Sequence, residues 1–236
     1  MRTAQAEELQ IAALVPLSTV DWPGRLVATV FLQGCPWSCH YCHNPDLISP
    51  RTAGQVPWRE VEELADRRHG LLDGLVLTGG EPTRQDAVHD AARRIRARGF
   101  ALGLHTAGAY PSRLRDLLPQ FDWVGLDLKA TLGGYADVTG IESSGERAWR
   151  SLEILLASGV DHEVRTTVVP GEDAQAWQVA QRARDSGVRA YALQQARSEG
   201  TREFHDAHPP GWDERFEALA DQVAGLGFAR LEVRRA

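Results

Sequence analysis

Short apolar runs alternate along the chain with stretches in which apolar residues recur every three or four positions. The first kind predicts strands at residues 27–32, 75–77, 101–104, 123–128, 164–169, 190–193 and 231–233. Runs this short, rich in branched residues and barely broken by polar ones, fit strands buried on both faces. The second kind predicts amphipathic helices. Trp58, Val61, Leu64 and Ala65 share a face, with Pro57 suited to a first helical position. Val88, Ala91, Ala92 and Ile95 stop at Gly99; Ala148, Trp149, Leu152, Leu155 and Leu156 stop at Gly159; Trp177, Ala180 and Ala183 stop at Gly187. Glycine in those places is a natural helix end. A last helix carries Phe216, Leu219, Ala220 and Val223 and ends near Gly225 or Gly227. Trp58, Trp149 and Trp177, at helical spacing, are expected in the core.

Strand and helix alternate about six times, which indicates parallel βαβ units with right-handed crossovers. Two architectures fit: an α/β barrel, incomplete, or an open doubly wound sheet. The chain has 236 residues, suited to one domain over 1–236, and shows no internal repeat, low-complexity tract or linker. Residues 198–212, with Gly200, Pro209, Pro210 and Gly211, read as a long loop.

Composition narrows the function. A net charge of −6 without a basic stripe argues against nucleic acid as a partner. No apolar run approaches the roughly 20 residues of a membrane helix. The first residues are polar and acidic rather than a signal segment, so a cytoplasmic protein is expected. Three cysteines lie within eight residues, a poor disulfide framework and a natural set of metal ligands in a reducing compartment. Lys129 is the only lysine, which raises its chance of a specific task.

In either architecture ligands sit at the C-terminal ends of the strands, and the unusual residues fall there. The cysteine loop follows the first predicted strand, Thr78-Gly79-Gly80-Glu81-Pro82 the second and His105-Thr106-Ala107-Gly108 the third. Asp127 and Lys129 end the fourth, Pro170-Gly171 the fifth, and Gln194 and Gln195 the sixth. Cys35, Cys39 and Cys42 suit three corners of a cubane cluster, one iron remaining open because no fourth cysteine exists. They also suit a structural zinc site completed by His40 or His43, although zinc sites generally draw ligands from two separated elements. Paired glycines let the backbone of 79–80 approach a ligand, and Glu81 would accept from an ammonium; the same residues also make a plain turn. Alternation sends Asp127 and Lys129 to one side, towards a cofactor or into a strand-end ion pair.

With Tyr41 just before its last cysteine, the C-x3-C-x2-C loop resembles the radical S-adenosylmethionine superfamily, and the resemblance runs along nearly the whole chain. It implies a partial (β/α)6 barrel of parallel strands and a 4Fe–4S cluster on Cys35, Cys39 and Cys42. The amine and carboxylate of S-adenosylmethionine would chelate the open iron. One electron, from reduced flavodoxin or ferredoxin, would then cleave the sulfonium to methionine and a 5′-deoxyadenosyl radical. By the same resemblance Gly79, Gly80 and Glu81 orient the methionine end, Tyr41 and neighbouring backbone approach the adenosine, His43 belongs to the cofactor site, and Asp127 and Lys129 face the sulfonium or carboxylate. Arg165 approaches the cofactor or pairs with Asp127. No side chain is catalytic, because the cofactor bears the radical.

Residues 18–25, 31–35 and 42–45 resemble, within that superfamily, activating enzymes that install a glycyl radical on a partner protein. The likeness is greatest to those serving the anaerobic ribonucleoside-triphosphate reductase. Alternatives are activation of another glycyl-radical enzyme, a small-molecule enzyme such as 7-carboxy-7-deazaguanine synthase, or a zinc-stabilised binding module without catalysis. An auxiliary-cluster domain is excluded by the cysteine count. His105-Thr106 departs from the aspartate-threonine pair that holds a monovalent cation in formate-lyase activases, so that ion is not expected. Gln194 and Gln195 stand where those enzymes carry a cofactor-contacting histidine, and their role is not legible. His69, His89, His162, His205 and His208 read as surface or loop residues.

Overall fold

The structure is a computed structural model that describes residues 4–197 and 209–236. His205, His208 and most of the predicted 198–212 loop lie outside the described residues; Trp212, at its end, begins a helix.

One sheet contains eight strands: β1 (Ile11–Ser18), β2 (Val27–Leu32), β3 (Gly74–Gly79), β4 (Ala101–Thr106), β5 (Trp123–Asp127), β6 (Asp161–Val168), β7 (Ala190–Gln195) and β8 (Arg230–Arg234). Their order in the sheet is their order in the chain. β1 runs antiparallel to β2, and every later pair is parallel. A doubly wound sheet needs a reversal of strand order. Here every crossover goes the same way, so helices gather on one face and the other curls inwards. This is barrel winding. Six βα units run from β2 to the helix after β7, as the (β/α)6 reading expects, but two strands frame them. β1 was not foreseen, and it and β8 form the edges among the described residues.

The helices are α1 (Trp58–Arg67), α2 (Val88–Ala97), α3 (Pro111–Leu117), α4 (Tyr135–Thr139), α5 (Ser144–Ser158), α6 (Asp173–Asp185) and α7 (Trp212–Ala224). None is long and apolar enough to cross a membrane. Trp58 and Trp149 are buried in the core and Trp177 is half-buried against it.

Alternation along the strands sorts residues between two faces. Ala28, Val30, Leu32, Leu75, Leu77, Val124 and Leu126 join the main core beneath the helices. Val27, Val76 and Trp123 point the other way and pack with Trp22 from the β1–β2 loop, whose ring stacks on Trp123 at 5.5 Å. This small apolar layer plugs the barrel. One step further along the strands the inward positions become Phe31, Thr78, His105, Asp127 and Arg165, and these open into a cavity.

Candidate active site

A cavity of about 950 Å³ lies at the C-terminal strand ends. Its wall includes Cys35, Cys39 and Cys42, Tyr41 and His43, Gly79 and Gly80, and Asp127, Lys129 and Arg165. Every residue expected at the cofactor lines this space except Glu81.

The cysteine loop leaves β2 and is held from several sides. Gly34 and Cys35 donate backbone N–H to the Leu47 and Ile48 carbonyls, which folds the loop back on itself. All three cysteines are free thiols. Burial pushes the Cys35 thiol up to about 12 and raises Cys39 as well, against the nearby Lys129 ammonium. A bound metal ion would reverse that shift, because the thiolate is the form that ligates. Trp37 Nε1 and the Tyr41 hydroxyl are buried in the same wall without a hydrogen-bond partner among the described residues, polar groups that a bound group could satisfy. The donor set thus fits an iron–sulfur cluster. Of the two zinc alternatives, His40 has Nε2 3.4 Å from Glu172, and His43 is exposed. Among the described residues no three His, Cys, Asp or Glu side chains are grouped to hold a single metal ion.

Opposite the cysteines, β3 ends in glycines that touch the loop's own backbone. A Cβ on Gly80 would lie 2.4 Å from the Gly34 carbonyl oxygen. Gly79, at φ +115°, would put one 2.3 Å from Leu32 N and O. Neither position tolerates a side chain. Glu81 stands just behind, fully buried and outside the lining. Its Oε1 accepts from the Thr83 N–H at 3.1 Å, the Thr83 hydroxyl at 2.6 Å and the Thr106 hydroxyl at 2.7 Å, and Oε2 from the Ala107 N–H at 2.9 Å. Burial raises its carboxyl while these bonds pull it back. The carboxylate was expected against an ammonium; instead it clamps the ends of β3 and β4, and the glycine backbone faces the cavity.

The third wall is ionic. Arg165 Nε donates to Asp127 Oδ1 at 2.8 Å, and Lys129 Nζ lies 3.4 Å from Asp127 Oδ2 and 5.6 Å from the Tyr41 ring centroid. Asp127 and Arg165 are therefore paired, and both line the cavity. Burial would raise the Asp127 carboxyl, but Arg165 and Lys129 outweigh it and hold it at about 2.

His105 reaches the Asp21 carbonyl oxygen with Nε2 at 2.7 Å and the Thr78 hydroxyl with Nδ1 at 3.2 Å. A carbonyl only accepts, so Nε2 carries the proton and Nδ1 accepts from Thr78. Burial, with Arg165 nearby, lowers this histidine to about 3 and keeps it neutral. Gln194 also lines the cavity, its amide donating to Thr167 Oγ1 and its carbonyl accepting from Arg234. Gln195 turns away to Asp213. Pro170 and Gly171 lie off the lining.

Sequence reasoning missed Trp37, the wall formed by Thr19, Val20, Asp21, Pro23 and Gly24, and the rim at Arg197, Arg234 and Arg235. Residues 18–25 had drawn notice as a motif, but nothing local in them says that they fold back over the sheet.

The family model of the radical SAM superfamily matches residues 29–183, from β2 through α6. A Methanocaldococcus jannaschii protein provisionally named a glycyl-radical enzyme activating enzyme is 31% identical over 195 residues, 78% of this chain and 79% of that protein. The chain belongs to the radical SAM superfamily, among its glycyl-radical activating enzymes. The pyruvate formate-lyase-activating enzyme of Clostridium pasteurianum is 29% identical over 168 residues, 68% of this chain and 69% of that enzyme. Among solved structures, Streptococcus suis SuiB bound to S-adenosylmethionine superposes with a TM-score of 0.65 at 12% identity, over 86% of this chain. The chain spans 48% of SuiB's length, and at that identity the likeness concerns the fold. A radical SAM enzyme carries a 4Fe–4S cluster and uses S-adenosylmethionine, and the donor set described above suits both.

Proposed function

We propose that this chain, as one domain over 1–236, installs a glycyl radical on an anaerobic ribonucleoside-triphosphate reductase. The observation that carries the reading is the convergence of three free cysteines, a side-chain-free glycine wall and the Asp127–Lys129–Arg165 group on one cavity. Support for this particular partner is the resemblance of residues 18–25 and 42–45, which border that cavity. Cys35, Cys39 and Cys42 would hold three irons of the cluster, leaving the fourth for S-adenosylmethionine. When bound, cluster and S-adenosylmethionine supply, with one electron from reduced flavodoxin or ferredoxin, a carbon-centred radical that takes a hydrogen atom from a glycine Cα. The chain's own residues bind, orient and keep water out. Backbone atoms of Gly79 and Gly80 would meet the methionine amine. Lys129, held by Asp127, would meet the carboxylate. Tyr41 would border the adenosine with His43 beside the cofactor, and the Trp22–Trp123 layer would close the floor against solvent.

A second reading, activation of pyruvate formate-lyase, is favoured by the name of the Clostridium relative. One experiment decides between them. The protein is reconstituted anaerobically with iron and sulfide, reduced, and given S-adenosylmethionine with either purified partner. 5′-Deoxyadenosine together with a glycyl-radical signal on the reductase is the expected result. The same signal on the formate-lyase alone transfers the assignment to that partner. Cys39→Ala should lose iron uptake and 5′-deoxyadenosine together, and retention of both would end the cluster assignment.

A further inference from the structure

Helix α4 has no part in the site as described, yet it touches both of its walls. It is five residues long and follows Lys129 almost directly. Its Val138 and Thr139 carbonyls accept the backbone N–H groups of His40 and Ser38, each at 3.2 Å, so α4 is the outer support of the cysteine loop. Tyr135, its first residue, is fully buried. The Tyr135 hydroxyl oxygen accepts the Lys129 backbone N–H at 2.9 Å and lies 3.5 Å from the Asp127 carbonyl, to which it can donate. The same ring packs edge-on against Trp37 in the cysteine loop, centroids 5.8 Å apart. Trp37 in turn lines the cavity, its buried Nε1 without a partner among the described residues.

This geometry has a specific mechanical meaning. β5 ends at Asp127, so the Lys129 N–H has no ladder partner, and the hydroxyl of Tyr135 supplies one. The backbone at Lys129 is thereby fixed, and with it the origin of the side chain that reaches Asp127 and Tyr41. One residue therefore contacts both the cysteine loop, through Trp37, and the backbone from which the Lys129 ammonium reaches Tyr41. We propose that Tyr135 is a positioning residue for S-adenosylmethionine, acting through Lys129. The proposal rests on the reading of the cavity given above.

Tyr135→Phe removes the hydroxyl and keeps the ring against Trp37. The cluster-loaded variant should hold as much iron and sulfide as the wild type and show the same absorption spectrum. Its affinity for S-adenosylmethionine, measured anaerobically by calorimetric titration, should fall about three- to tenfold, the worth of one hydrogen bond. In a Lys129→Met background the same substitution should cause no further loss, because the step through which it acts is gone. Unchanged affinity in Tyr135→Phe, even with a lowered Tm, would reduce Tyr135 to a structural residue and overturn the proposal. An equal loss in both backgrounds would do the same. The unloaded wild-type chain gives an independent check by hydrogen exchange. The Lys129 amide should be strongly protected, and rapid exchange there removes the bond on which the inference stands. A wild-type protein that takes up a cluster but binds no S-adenosylmethionine would instead overturn the functional reading.

Discussion

His105 shows how one half-buried side chain holds a wall of the site. Its two ring nitrogens tie the β1–β2 loop, through Asp21, to Thr78 on β3, in a form that carries no charge. An ordinary histidine titrates near 6.5 and this one at about 3. A depressed value means that its stabilising contribution is complete above pH 6.5 and is lost progressively as the pH falls towards 3. Between pH 7 and 5 the wild type should lose up to about 2 kcal/mol on this account, at 1.36 kcal/mol per pH unit below 6.5. His105→Gln lacks that slope, so the stability difference between the two proteins, measured by chemical denaturation, should change by about 2 kcal/mol between pH 7 and pH 5. An unchanged difference would assign the acid sensitivity elsewhere. Spacing revealed His105 as a departure from a family pattern but could not reveal its partners, because Asp21 lies 84 positions away. Glu81 illustrates the same limit. Its position after two glycines was legible, while the four donors that occupy it come partly from β4 and appear only in three dimensions.

At the scale of elements, the turn after β3 is where strand geometry and site geometry become one constraint. Gly80→Ala would drive a methyl into the Gly34 carbonyl, and backbone on both sides leaves little room to yield. We expect a loss of about 1–3 kcal/mol in the unloaded chain, from overpacking. Iron content per chain after reconstitution should drop as well, because the displaced carbonyl belongs to the residue before Cys35. A variant that folds and loads normally would show that the turn has slack. Most elements were legible for a common reason: β2, β3, β5 and β7 carry apolar residues on both faces, β4, β6 and β8 carry them mainly on one, and α1, α2, α5, α6 and α7 carry a clear apolar stripe. The exceptions are physical. β1 is an edge strand with mixed exposure and Pro16 in its middle, so no face pattern develops. β6 begins three residues before its apolar run, at Asp161. α3 buries only Leu114 and Leu117, and α4 is too short for any helical period.

At the scale of the molecule, chain-ordered winding gathers the C-terminal ends of six parallel strands at one end of an incomplete barrel, and the cavity forms there with contributions from β2 through β8. Such a site exists only in the folded chain, so whatever binds it stabilises the whole fold. For the cluster-loaded protein, S-adenosylmethionine at a hundred times its Kd should add about 2.7 kcal/mol. In a chain of this size that is a rise in Tm of roughly 5–10 °C, read by anaerobic calorimetry. No rise at saturation would mean that the ligand does not select the fold described here. The sequence predicted this gathering of rim residues correctly because strand ends are marked by glycine, proline and polar residues. It could not predict that the β1–β2 loop closes the open side, since that depends on Trp22 finding Trp123 across the sheet.

Lys129 is the chain's single lysine, 14% exposed, beneath the ring of Tyr41 and beside Asp127. Every other basic side chain strong enough to stay charged at neutral pH is an arginine. The outer surface therefore offers no ε-amine to acylating reagents, acetyl donors or the ubiquitin-type ligation that targets lysine. For this molecule amine chemistry, the α-terminus aside, is chemistry in the wall of a cavity. A reagent of that kind would report on access to the cofactor pocket and leave the face presented to a partner protein untouched.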